Sequence, residues 1–313
     1  MNSDKKILGR DGNFLGVHSL NHILLEVPDL SQAESYFTHF GLCVKKEYKQ
    51  IGVYCHGYNY RWMIIRKGSR YKLKKISFSC FESDYKKFAD HFHDIGLKFK
   101  ASNDVIDLVG PDGLLLQIKV GPVASNRRLA PLCVPERVDA HRSAPLRSEL
   151  SRVHPRRLAH LAIFTEDLEK SLEFYQEALG LRLSDRSRDV VAFMHTPHGS
   201  DHHALALLSG TKCGLHHTSW EVSSVDEVAA GAHYMASQGF DYNWGLGRHV
   251  LGSNYFYYIR DLWGSWTEYS AGMDYIPKNS NWKSGDYGPE DSFYLWGPEV
   301  PAGFTDNPED KFT

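Results

Sequence analysis

At 313 residues the chain is long enough for two domains with separate cores. Apolar residues make up 42% and charged residues 24%, a balance that excludes an intrinsically disordered chain. The net charge of −2 provides no global field toward nucleic acid or membrane, so neither is an expected partner.

The cysteines are Cys43, Cys55, Cys80, Cys133 and Cys213. Their odd number and the lack of a CxxC pair argue against a disulfide scaffold or a cysteine zinc site. No apolar signal core opens the sequence and no stretch approaches a membrane-spanning length, so a cytoplasmic protein is expected.

The first recognisable unit is "LNHILLEVPDLSQAESYFTHFGL" (20–42). It reads as an alternating strand, an Asp29 helix cap, an amphipathic helix and a Gly41 stop. A second strand–helix unit follows at 73–97, and "GPDGLLLQIKVGP" (110–122) reads as a turn and a strand. Residues 123–157 carry four prolines and eight arginines, and they predict an irregular linker lying on the surface or in a subunit contact. The pattern then repeats. "LAHLAIFTEDLEKSLEFYQEALGL" (158–181) matches the first unit, with Asp167 as cap, Gly180 as stop, and Leu168, Leu172 and Tyr175 on one helix face. "LHHTSWEVSSVDEVAAGAHYMASQGF" (215–240) matches 73–97, and "RDLWGSWTEYSAG" (260–272) matches 110–122. The chain therefore divides into four similar modules.

The repeat lets residues be compared by position. His160 and His217 stand at corresponding places on the opening strands of the second half, and Glu268 lies on its last strand. Side chains alternate along a strand, so His216 and His217 are expected on opposite faces, with His217 toward a cavity. Two neutral imidazoles and a carboxylate form a facial triad that leaves open positions and suits non-haem Fe(II); the same ligands serve Mn(II). The matching first-half residues are His22, Lys75 and Gln117, which lack a negative charge. One metal site per chain is therefore expected.

These positions, together with "GRHVLGSNYFYYIRDLWGSWTEY" (247–269), resemble the vicinal-oxygen-chelate superfamily. Within it, the chain is similar to the two-domain type I extradiol ring-cleavage dioxygenases from about residue 17 to 275. The resemblance implies an enzyme that binds a catecholic diol and O2 at one Fe(II) and opens the ring beside the diol. His160, His217 and Glu268 would be the ligands. His203, the second histidine of "SDHHALAL" (200–207), would handle proton transfer, and His249 and Tyr258 would hydrogen-bond the diol oxygens. The aromatic tail resembles that of a branch acting on trihydroxylated rings such as trihydroxytoluene. Its own residues allow two roles, a strap on the surface or a cover over the cavity. Trp244 could wall the pocket or pack beneath it, and His198, between Pro197 and Gly199, is expected in a solvated turn.

The expected fold is α+β, with two domains, each of paired βαβββ modules whose sheet curls around a cavity. The divisions are 1–122 (without metal), 123–157 (linker), 158–275 (catalytic) and 276–313 (tail). A homo-oligomer is expected. Two rivals keep the fold: a glyoxalase-like metal isomerase or lyase, and a metal-free ligand-binding protein. The His249–Tyr258 pair argues against the first and the intact triad against the second.

Overall fold

The computed structural model describes residues 14–124, 139, 140, 142 and 144–312. The first half runs β1 (Ser19–Val27), α1 (Leu30–His39), β2 (Cys43–Glu47), β3 (Gln50–Tyr54), β4 (Arg61–Lys67), β5 (Lys72–Cys80), α2 (Glu82–Asp94), β6 (Phe99–Ser102), β7 (Val105–Val109) and β8 (Leu115–Val120). The second runs β9 (Arg157–Thr165), α3 (Leu168–Leu179), β10 (Arg182–Ser187), β11 (Val191–His195), β12 (Ser200–Asp201), β13 (Leu205–Ser209), β14 (Gly214–Glu221), α4 (Val225–Ser237), β15 (Asn243–His249), β16 (Tyr255–Arg260) and β17 (Trp266–Ala271). The tail adds β18 (Tyr275–Ile276) and β19 (Tyr294–Trp296).

Each half is thus two βαβββ modules joined in one curled sheet. The first sheet has the order β2-β3-β4-β1-β5-β8-β7-β6. The second has β10-β11-β13-β9-β14-β17-β16-β15-β19, its ninth strand drawn from the tail. No helix among the described residues is long and apolar enough to cross a membrane.

The expected caps form. Asp29 accepts the Ser31 and Gln32 backbone N–H groups, and Asp167 accepts that of Lys170. Gly180 ends α3 at φ 69°, where an added Cβ would lie 2.3 Å from the Leu15 carbonyl oxygen. Gly180→Ala is expected to cost more than about 1 kcal/mol, read as a lower denaturant midpoint at unchanged m-value.

The helices cover the outer faces of the sheets. Leu168, Leu172 and Tyr175 bury in the main core with residues of both halves. The halves also meet there: Phe40 stacks on Tyr269 with ring centroids 3.9 Å apart, and the Tyr269 hydroxyl donates to the Phe40 carbonyl. The concave face of the second sheet holds a separate aromatic cluster, Trp244, Phe256, Tyr258, Trp266 and Phe304.

β-Bulges fall at matching places in the two halves. On β1 and β9 the register skips Asn21 and Ala159, the residues before His22 and His160. On β5 and β14 it skips Lys74 and His216, the residues before Lys75 and His217. A bulged residue interrupts strict alternation and re-aims its neighbours.

Of the stretch read as linker, 125–138, 141 and 143 lie outside the described residues. Its last member, Arg157, opens β9 and is buried, with Nη2 2.7 Å from Asp201 Oδ2 and Nε 2.6 Å from Glu221 Oε2.

Candidate active site

The second sheet presents the candidate side chains strand by strand. His160 stands on β9, His217 on β14, Glu268 on β17, Tyr258 on β16 and His249 at the end of β15, five neighbours in the sheet order. Register aligns them: Ser219 pairs with both His160 and Glu268, and Glu268 pairs with Tyr258. Cross-strand partners share a face, so the row points into the concave side.

There the structure brings His160, His217 and Glu268 together. Their potential ligand atoms all lie within 4.8 Å of one another, and all three residues are buried. The two Nε2 atoms are 3.0 Å apart, and Glu268 Oε2 is 3.2 Å from that of His160 and 3.7 Å from that of His217. Asn254 Nδ2 donates to the other carboxylate oxygen at 3.0 Å. Glu268 Oε2 is left buried without a hydrogen bond. An orphaned carboxylate oxygen facing two imidazole nitrogens is a costly arrangement unless a cation lies among them. The donor set fits a divalent transition metal.

His216 does not turn away as strict alternation predicts. The bulge leaves it beside His217 on the wall of the same cavity. Its Nε2–H donates to the Phe304 carbonyl at 2.8 Å, since a carbonyl can only accept. Burial pushes His216 down to about 4, so the ring is neutral near pH 7 and its Nδ1 is an acceptor. His217 therefore donates Nδ1–H to it at 2.6 Å and keeps its Nε2 lone pair for the site. His249 follows the same logic. It donates Nδ1–H to the Phe293 carbonyl at 2.7 Å, and its Nε2 accepts the Tyr258 hydroxyl at 2.9 Å. Burial holds His203, His217 and His249 below the usual imidazole range and Tyr258 above the usual phenol range.

His203 lies over His160, ring centroids 4.1 Å apart, and faces the cavity. His202 points behind it, Nε2 2.7 Å from Asp185 Oδ2. The cavity holds about 230 Å³ and is walled by Val191, Phe193, Leu208, Leu251, Phe293 and Phe304. The tail thus supplies part of the wall and a strand of the sheet, which corrects the surface-strap reading. Trp244 packs beneath, stacked on Tyr258 at 5.4 Å. His198 is also unlike its expectation: it is buried, not solvated, with Nε2 3.1 Å from the Gly16 carbonyl oxygen.

Among its described residues the first half assembles no such group. Lys75 Nζ donates to Gln117 Oε1 at 3.2 Å, and Gln117 donates to Asp107. Burial, with Lys75 nearby, pushes His22 down to about 3. Lys75 stands on β5 at the position that matches His217 on β14.

Residues 157–269 match the family model described as Glyoxalase/Bleomycin resistance protein/Dioxygenase superfamily. The chain is 45% identical over 298 residues to metapyrocatechase 2 of Cupriavidus necator, covering 94% of this chain and 93% of that one. Among solved structures, a halotolerant catechol dioxygenase superposes with TM-score 0.75 at 17% identity, covering 93% of this chain and 98% of that one. The Mn(II)-bound glyoxalase from Novosphingobium aromaticivorans gives 0.73 at 20% identity, covering 92% and 94%.

Proposed function

This chain belongs to the extradiol ring-cleavage dioxygenases of the vicinal-oxygen-chelate superfamily, and we propose that it opens a catecholic or trihydroxylated ring beside its diol with O2, using one Fe(II). The observation that carries the iron site is the unpaired Glu268 Oε2 facing His160 and His217 at the base of an apolar cavity. A divalent iron held there would supply the Lewis acidity that favours an anionic diol and the redox capacity that O2 requires.

The protein's own groups account for the rest. Asn254 holds one Glu268 oxygen and leaves the other free. His203 stands beside His160 to accept or return a proton. Tyr258 and His249 are hydrogen-bonded to each other and able to turn that bond toward a diol oxygen. Apolar walls keep water away from the reacting atoms. Residues 158–275 would form the catalytic unit, and 1–122 would give structural support.

No lysine or arginine lines the described cavity. Ring substituents should therefore be uncharged. A methylcatechol is expected to exceed a carboxylated catechol in kcat/KM by at least about a hundredfold, because burying an unpaired carboxylate costs several kcal/mol. Equal values for the two would sink this reading.

The decisive experiment is anaerobic reconstitution with Fe(II) or Mn(II), followed by oxygen uptake with catechols and trihydroxybenzenes. Fe(II)-dependent uptake with a coloured ring-opened product supports the proposal. Bound metal without uptake for any diol favours a glyoxalase-like reaction, and no metal binding favours a ligand-binding protein.

A further inference from the structure

A second histidine pair, with one member on the cavity wall and the other behind it, has a built-in direction. His203 Nδ1 lies 3.1 Å from His202 Nδ1, and His202 Nε2 lies 2.7 Å from Asp185 Oδ2. All three residues are buried. The other Asp185 oxygen accepts the Gly285 backbone N–H at 2.7 Å, so the tail fixes the carboxylate. The Trp282 indole donates to the Ser184 carbonyl at 2.9 Å and sets its ring edge against His202, 5.5 Å between centroids.

We propose that Asp185 and His202 are positioning residues that lock His203 in one tautomer, with Nε2 unprotonated. The inference rests on the assignment of His203 to proton transfer. A carboxylate only accepts, so His202 must place its proton on Nε2. A ring that holds only that proton offers Nδ1 as an acceptor 3.1 Å from His203 Nδ1, and His203 then places its own proton on Nδ1. What remains on His203 is a lone pair on Nε2, an acceptor ready for a substrate hydroxyl proton. The pair at 202–203 thus works as the pair at 216–217 does. In each, the first histidine is tied to an acceptor, Asp185 or the Phe304 carbonyl, and hands its polarity to the second. Each acceptor acts through its histidine, so these are orienting groups and not catalytic ones.

Asp185→Asn tests this sharply. Its oxygen can still accept the Gly285 N–H, so local structure should survive, while its NH2 now faces His202. That ring must accept at Nε2 and donate at Nδ1, and the order reverses through His203. Long-range 1H–15N imidazole spectra of the full-length, metal-free protein read the tautomers directly. The wild-type His203 should carry its proton on Nδ1, and the Asp185→Asn protein should carry it on Nε2. His202→Phe, a second variant, should release the preference and leave a mixture. In Fe(II)-loaded protein both substitutions should lower kcat by roughly 10–100-fold, with metal content unchanged and KM within about twofold. Wild-type His203 protonated on Nε2, or a tautomer unmoved by Asp185→Asn, overturns the proposal. The spectra need no turnover, so a failure of the dioxygenase reading would show separately, as oxygen uptake absent from the wild type.

Discussion

Glu268→Gln is expected to lose the metal and nearly all turnover, yet to leave a metal-free protein more stable than metal-free wild type. The residue is fully buried, and its Oε2 has no hydrogen bond. Without a cation that oxygen is a buried acceptor with no hydrogen bond, which costs about 1–3 kcal/mol. Glutamine keeps the shape. Its oxygen can take the Asn254 N–H, and its NH2 faces the Nε2 lone pairs of His160 and His217, 3.2 and 3.7 Å from the present Oε2. The amide then fills the place of the cation. With metal the sign reverses. Removing one partner of a buried charge pair costs about 3–5 kcal/mol, so metal affinity and oxygen uptake should fall roughly a hundred- to several-thousandfold. Metal analysis and melting curves with and without Fe(II) check both halves. Wild type should gain stability with metal by mass action and the variant should not. A variant that retains stoichiometric metal, or melts below the wild type when both are metal-free, contradicts the assignment.

Much of this site was legible because strands carry side chains with a fixed period. The repeat aligned His160 with His217 and placed Lys75 and Gln117 at the matching positions of the first half. Asp29, Asp167 and Gly180 marked the helix ends by residue type alone. The resemblance pointed to His203, His249 and Tyr258, which the structure gathers around the same cavity. The misses share a physical cause. Alternation put His216 on the far face, but one extra residue at the β14 bulge brings it round. A bulge arises from pairing between distant strands and leaves no mark on a single one. His216 and His249 are oriented by the carbonyls of Phe304 and Phe293, groups that every residue has. His198 looked solvated because proline and glycine flank it, yet Gly16, far away in sequence, covers it. The tail showed its aromatics but not their destination, which only the concave sheet supplies.

Phe304→Ala should reveal how much the tail governs the metal. The side chain is 4% exposed and packs on Trp244, Tyr258 and Trp266 with ring centroids 4.7, 5.1 and 5.1 Å away. Truncating a buried phenylalanine typically costs about 3–5 kcal/mol, so a lower unfolding midpoint is expected. The ring is also the anchor that holds its own carbonyl against His216 Nε2–H. With the anchor gone, His216 can exchange tautomers, and His217 no longer has a fixed donor direction. Metal affinity should then fall by about 10–100-fold, the usual effect of losing a hydrogen bond to a ligand. Phe304→Leu keeps much of the anchor and should lose far less of both. Leu172→Ala supplies the contrast: it opens a hole in the main core on the buried face of α3, at a residue that does not line the cavity. If Leu172→Ala weakens metal binding as much as Phe304→Ala, general loosening is enough to explain the effect. Metal loss confined to Phe304→Ala instead makes the tail carbonyl part of what prepares His217 to bind.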